Sequence, residues 1–321
     1  MSYTAIDFNL TTLVLFIGIF ALGALSGYFS ERVGIANISI NGQMIFGALF
    51  FSIVAFSMKN SAGVLNDQKN FEYSLILPLI VAGIATIPMG LLFGFLTIKL
   101  KTNQIIAGTA INLLASGIAT FVSNPIAKAI TNNAKTSLTS DYRGFLEITN
   151  TNGQPVFYFS GLIILIAIIL IVMAFYFMMK KTPFGLRLYA IGENPNAADA
   201  QGINVYKYQW IAISISSVIA GVAGGLFMYQ KGTGFYGSVD GIGFLSLAIL
   251  IAGGWKIPLI LVMSIVFASI KNIIPGLVKN EHYTHLIKTI PYAITLIGMV
   301  AFAKYSTAPK NVGKPFDKTK R

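Results

Sequence analysis

Four hydrogen-bonding side chains crowd the start of one apolar stretch. Asn37, Ser39, Asn41 and Gln43 stand at alternate positions around Gly42, and Asn112 lies in the middle of another apolar stretch. Amides and hydroxyls are costly in hydrocarbon unless they bond one another or border a wet path. Groups of this kind are poor nucleophiles and poor acids. What they do well is match the donors and acceptors of a neutral polar solute. For Asn112 alone an interhelical hydrogen bond is the ordinary reading. For the cluster at 37–43 a solute pathway weighs at least as much.

Other chemistry is thin. There is no cysteine, which excludes disulfides, thiolate metal sites and dithiol redox chemistry. His282 and His285 form H-x-x-H with no evident third ligand and read as surface histidines. Gly232, Gly234 and Gly237 spell G-x-G-x-x-G, but without the strand-and-helix context that dinucleotide binding needs. No Asp or Glu falls inside a predicted span, which argues against a proton-coupled carrier. An ion-coupled secondary transporter with a carbonyl-built sodium site stays open as an alternative. A Walker A motif is absent, so ATP, if it drives the process, is bound by a separate chain.

The elements that must hold these residues are membrane helices. Of 321 residues, 55% are hydrophobic and 11% charged, against about a quarter charged in soluble domains. A helix needs roughly 20 apolar residues to cross about 30 Å of hydrocarbon. Residues 10–29, 36–57, 75–98, 104–123, 160–179, 209–230, 258–275 and 285–303 meet or approach that length. Runs such as 161–176 do not alternate polar with apolar, which excludes barrel strands. Residues 1–9 carry no basic residue, so 10–29 reads as a retained span and not as a signal peptide. The expected fold is an all-α polytopic bundle of about eight full spans, with 243–254 as a ninth, short or re-entrant helix. That segment ends in the breaker Gly253-Gly254-Trp255-Lys256-Ile257-Pro258. Residues 1–303 are expected to form one transmembrane domain and 304–321 a basic cytoplasmic tail.

The charges order the spans. With alternating spans and the C-terminus in the cytoplasm, inside segments hold fourteen basic residues and four acids, and outside segments seven of each. The inside set includes Arg32, Lys99, Lys101, Lys180, Lys181, Arg187, Lys207, Lys256, Lys310, Lys314 and Lys318. This asymmetry is that of the positive-inside rule and places the N-terminus outside, in a multi-pass plasma-membrane protein. The net charge of +12 follows the membrane, so lipid and not nucleic acid is the expected surroundings. Gly23/Gly27, Gly90/Gly94 and Gly221/Gly225 read as small-residue helix contacts.

Within the inside loop 180–208, Asn194 suits an N-cap, Pro195 the first helical position, and Gly202 a left-handed stop. A helix of about two turns over 195–201 follows, too short to stand without support.

The stretch Gly185–Gly202 (GLRLYAIGENPNAADAQG) resembles the cytoplasmic coupling loop of ABC-type importer permeases, in the branch serving simple sugars, branched-chain amino acids and nucleosides. Residues 29–48, 102–117 and 243–258 are similar to the same family, and the pieces ERVGIAN and NQIIAGTAINLLASG look most like nucleoside-uptake permeases. One departure stands out: Asn41 precedes Gly42 where the family usually has an acidic residue.

The resemblance implies a transport subunit that is not itself an enzyme and carries no cofactor. It implies partners: a cytoplasmic ATP-binding subunit, a second related permease in a heterodimer, and an extracellular substrate-binding lipoprotein. It assigns ATPase coupling to Gly185, Arg187, Gly192, Glu193, Asn194, Pro195, Ala198 and Gly202, and a nucleoside as cargo, with a ribose-type sugar as the alternative.

Overall fold

The computed structural model describes residues 10–61, 75–131, 147–149, 155–232, 234–277, 293 and 308–318. Eleven helices follow in chain order among them: α1 Leu10–Glu31, α2 Ile40–Ser61, α3 Ile76–Ala85, α4 Ile87–Gly94, α5 Gln104–Thr131, α6 Phe159–Lys181, α7 Pro183–Glu193, α8 Pro195–Ala200, α9 Val205–Lys231, α10 Ile242–Ala252 and α11 Ile257–Leu277. A short antiparallel ribbon pairs β1 Glu147–Thr149 with β2 Pro155–Tyr158. It adds a small element to the expected all-α architecture.

Among the described residues, six helical stretches are long and apolar enough to cross a membrane: Leu10–Glu31, Ile40–Met58, Ile76–Lys99, Gln104–Ala129, Leu162–Lys181 and Val205–Lys231. Ile242–Ala252 and Ile257–Ile273 are shorter apolar helices. Apart from residue 293, the expected span 285–303 lies outside the described residues, as do His282, His285 and Lys288. The stretch 76–99 is jointed. Pro88 stands in the first turn of α4, where its missing N–H is harmless, and five π-helical residues, Phe95–Lys99, close the span.

Helices α1 and α9 run against each other at the centre. On one side α9 also packs on α2, α3 and α4, and α2 carries α5. On the other side α1 carries α6, α10 and α11. Lipid is as apolar as leucine, so close backbone approach and polar bonds hold such helices together. All three predicted glycine pairs are contacts of this type. A Cβ on Gly23 would sit 2.3 Å from Ser246 Oγ, and one on Gly27 2.9 Å from Leu250. Gly90 and Gly94 meet Ser217 and Trp210, while Gly221 and Gly225 meet α3. Ser26 and Ser216 add a buried hydroxyl pair between α1 and α9, 3.0 Å apart.

The segment 232–256 is a broken passage. Residues 232 and 234–241 run without helix, α10 spans 11 residues, and Gly254 and Trp255 turn the chain at φ of +59° and +53°. Eleven residues rise only about 17 Å, roughly half the hydrocarbon. Non-helical backbone at such depth must be enclosed by protein or line a cavity. Phe235 and Val239 are buried, and Ser116 Oγ donates to Gly237 O at 3.3 Å.

Candidate functional site

The structure gathers at one end of the bundle the segments that the charges assign to a common side. Arg32 Nη2 donates to Trp255 O at 2.6 Å, and Trp255 Nε1 donates to Glu31 Oε2 at 2.5 Å. The Arg32 guanidinium lies 5.1 Å from the Tyr28 ring and 4.5 Å from the Tyr189 ring, and the two tyrosine hydroxyls are 2.6 Å apart. This cluster ties α1 and α7 to the break between α10 and α11. Trp255 is a non-glycine residue in left-handed backbone, a conformation that costs about 1–2 kcal/mol, and its two bonds to α1 offset that cost. Sequence reasoning did not find this cluster, because Glu31-Arg32 and the Gly-Gly-Trp break lie 223 and 224 residues apart along the bonds that join them.

The loop after α6 folds into two short helices. Thr182 caps α7, its Oγ1 accepting from Gly185 N at 3.3 Å. Gly185 permits the sharp turn: a Cβ there would lie 2.2 Å from Met179 O. At the other end of α7, a Cβ on Gly192 would lie 2.5 Å from Arg32 O. These two glycines are packing positions. Arg187 is exposed and donates to Tyr208 Oη at 2.5 Å.

The next helix, α8, has the expected ends. Asn194 Oδ1 accepts from Ala197 N at 3.1 Å, and Pro195 opens the helix. Gly202 sits at φ +81°. Its N–H reaches Asp199 O at 2.9 Å, while Ile203 N–H reaches Ala198 O at 3.1 Å, the pair of bonds that defines a Schellman stop. Helix α8 covers Pro195–Ala200. Pro195 and Ala198 turn inward and are buried, whereas Glu193, Asn194, Asn196, Ala197, Ala200, Gln201 and Gly202 are exposed. Any partner therefore meets the second set.

The C-terminal strap 308–318 holds this loop in place. Asn311 N donates to Gly192 O at 3.0 Å, and Gly313 N to Gly34 O at 3.2 Å. Phe316 packs on Tyr206, Lys101 pairs with Asp317 at 2.8 Å, and Lys318 with Asp199 at 3.4 Å. The hydrogen bond from Lys101 to Asp317 holds that ammonium above its ordinary pKa. Sequence reasoning read this stretch only as a basic tail, because the bonds that anchor it, to Gly192 O and Gly34 O, reach partners distant in the chain.

The polar cluster is a buried network that spans four helices. Asn37, Ser39 and Gln43 have no exposed surface. Asn37 Nδ2 donates to Ser216 Oγ at 3.0 Å, Ser39 Oγ to Asn37 Oδ1 at 2.5 Å, and Gln43 Nε2 to Ser39 Oγ at 3.0 Å. Asn112 Oδ1 accepts from Gly42 N at 2.7 Å and its Nδ2 donates to Ile38 O at 3.0 Å, which serves an orphan N–H in the first turn of α2. Asn41 Oδ1 accepts from Gly243 N at 3.3 Å, so it serves the N-terminus of the half-helix α10. Gln43 Oε1 is buried with no partner. These bonds stitch helices together. Asn41 and Asn112, 8% and 9% exposed, are the two members of the set that reach the surface of the chain.

That surface is the face where α5 meets the α10 entrance. Phe244 and Tyr236 are exposed beside α10, as are Ile106, Leu113 and Phe121 on α5.

A family model described as the permease component of branched-chain amino acid transport systems matches residues 9–301. The chain is 38% identical over 321 residues to the uncharacterized MG121 homolog of Mycoplasma pneumoniae, covering 99% of both chains. It is 33% identical over 311 residues to the guanosine ABC transporter permease NupQ of Bacillus subtilis, covering 94% of this chain and 93% of that one. It is 31% identical over 309 residues to the nucleoside ABC transporter permease NupC of Lactococcus lactis, covering 92% of each. No solved structure matches.

Proposed function

We infer a specific cargo and mechanism on the premise that this chain belongs to the permease-component family of branched-chain amino acid transport systems. It is a membrane-embedded ABC transporter permease, a transport subunit and not a catalyst. The cargo we propose is a nucleoside. The observation that carries this reading is similarity at 31–33% identity, over more than nine-tenths of both chains, to permeases named for guanosine and for nucleosides.

The chemistry of the candidate path supports it. Asn41 and Asn112, the two amides of the cluster that reach the surface, are neutral groups beside the N-terminus of α10, with exposed aromatic residues nearby. A charged solute would lack a counter-charge there, at a cost of several kcal/mol. Asn37, Ser39 and Gln43 position the path from behind.

Helix α8 would dock in a groove of a separate cytoplasmic ATP-binding subunit, a helix-in-groove contact. A second, related permease and an extracellular substrate-binding lipoprotein would complete a heteromeric importer. ATP-driven closure of the ATPases would rock the permeases between outward and inward states.

Competition of labelled guanosine uptake, in cells expressing the full complex, tests the cargo. Unlabelled nucleosides are expected to compete strongly, ribose weakly and nucleotides hardly at all. Competition by ribose alone would replace the nucleoside with a sugar. For orientation, single cysteines at Asn133 and Asn152 should react with an impermeant reagent from outside, and one at Asn196 should not. Labelling at 196 in intact cells overturns the orientation.

A further inference from the structure

The bundle has a cavity that the transport path does not use. It lies at the basic end, has a volume of about 340 Å³, and is lined by Tyr28, Arg32, Tyr176, Lys180, Trp255 and Lys256 among others. Helices α6 and α11 both pack on α1 but make few contacts with each other. The cavity is the gap between them, with Tyr28 of α1 and Arg32, the residue after that helix, at its floor.

Among the described residues, three cations and no acid line this gap. Arg32 is 9% exposed. Its Nη2 is engaged by Trp255 O, but its Nε is buried with no partner, so a buried cation keeps a spare donor. Glu31, the one nearby carboxylate, is turned to the Trp255 indole. Lys180 and Lys256 are exposed at the rim. Lys180 lies 5.6 Å from the Tyr189 ring, and aromatic neighbours of this kind hold a cation without neutralising it.

The rim continues into hydrocarbon. Pro258 and Leu259 line the mouth, and Leu259, Val262 and Phe177 are exposed apolar residues on the outer faces of α11 and α6. A ligand that fits both parts carries an anionic head and an apolar tail. We propose that this cavity binds the phosphate of an anionic phospholipid, with the acyl chains along the groove between α6 and α11. Basic pockets between transmembrane helices take lipid head groups by the same logic. The assignment rests on α6 and α11 facing lipid and is independent of the cargo. A bound lipid would brace α1, α7 and the break before α11, the joint next to the coupling loop.

The test uses the purified full complex in detergent. It is titrated with dioleoyl-phosphatidylglycerol, with dioleoyl-phosphatidylcholine and with inorganic phosphate, and adducts on this subunit are read by native mass spectrometry. Phosphatidylglycerol should be retained in preference to phosphatidylcholine. The double variant Lys180→Gln/Lys256→Gln should weaken that retention about thirtyfold, the loss expected for two lysine contacts with an anionic lipid. Both lysines are at the surface, so the fold should survive, and Lys207→Gln serves as the control that changes nothing. Equal retention of the two lipids, or no effect of the double variant, overturns the proposal. Displacement of phosphatidylglycerol by inorganic phosphate overturns the lipid assignment and makes the cavity a soluble-anion site.

Discussion

The clearest separation of coupling from folding comes from two adjacent alanines on α8. Ala197 is exposed, and Ala198 is 4% exposed and faces the chain's own core. With Asn194 as the cap, Ala197 is the third helical position. An aspartate there faces the positive end of the helix and favours it by about 0.3–1 kcal/mol. Ala197→Asp should therefore leave protein level and thermal stability unchanged. If α8 docks in an ATPase groove, the same carboxylate is desolvated without a partner. The expected cost is roughly 2–5 kcal/mol, and a tenfold loss for each 1.4 kcal/mol puts the weakening of ATPase retention at about thirtyfold or more. Ala197→Lys should fail in the same way, which removes any accident of charge sign. Ala198→Asp buries a carboxylate inside this chain at a cost of several kcal/mol, a large part of an ordinary folding free energy of about 5–15 kcal/mol. It should lower the amount of folded protein before coupling is ever tested. The assay is the ratio of ATPase to permease retained on an affinity column, measured beside ATP-driven uptake. Full retention and full uptake by both Ala197 variants would refute docking through α8.

Two further substitutions probe the joints on either side of the path. Asn112→Leu strips the acceptor from Gly42 N–H and the donor from Ile38 C=O; a loss of about 1–3 kcal/mol is expected, read as a lower melting midpoint of the purified protein together with reduced uptake. Trp255→Phe removes the indole donor from the buried Glu31 carboxylate, and adding Glu31→Gln should recover part of the lost stability. A double-mutant cycle on thermal stability measures that coupling, and additive losses would show that the two side chains act independently.

How far the sequence carried this reading depends on the range of each interaction. Helix α8 was legible to its ends because Asn194, Pro195 and Gly202 act on their own local backbone. The same holds for the break at Gly253-Gly254, and for the spans, whose length and apolarity are properties of contiguous residues. Thr182 as a cap for α7 is equally local, but the helix hid because Gly185 and Gly192 sit inside it. Glycine ordinarily weakens a helix by about 1 kcal/mol, and here the close approaches to Met179 O and Arg32 O are what retain both residues.

The polar cluster shows the limit of that locality. Alternation at 37–43 marked the residues correctly, yet it could not say whether they face a solute or one another, since both uses require the same buried amides. Their partners, Ser216, Asn112 and Gly243, lie 70 to 202 residues away. Only the packing of α1 and α2 against α5, α9 and α10 distinguishes the roles. It turns Asn37, Ser39 and Gln43 to helix stitching and leaves Asn41 and Asn112 at the margin. This division gives Asn41 a specific task. Its amide oxygen accepts from Gly243 N, near the start of α10. An uncharged amide thus serves this N–H of the half-helix, and on the proposed path that leaves no carboxylate to oppose a neutral solute.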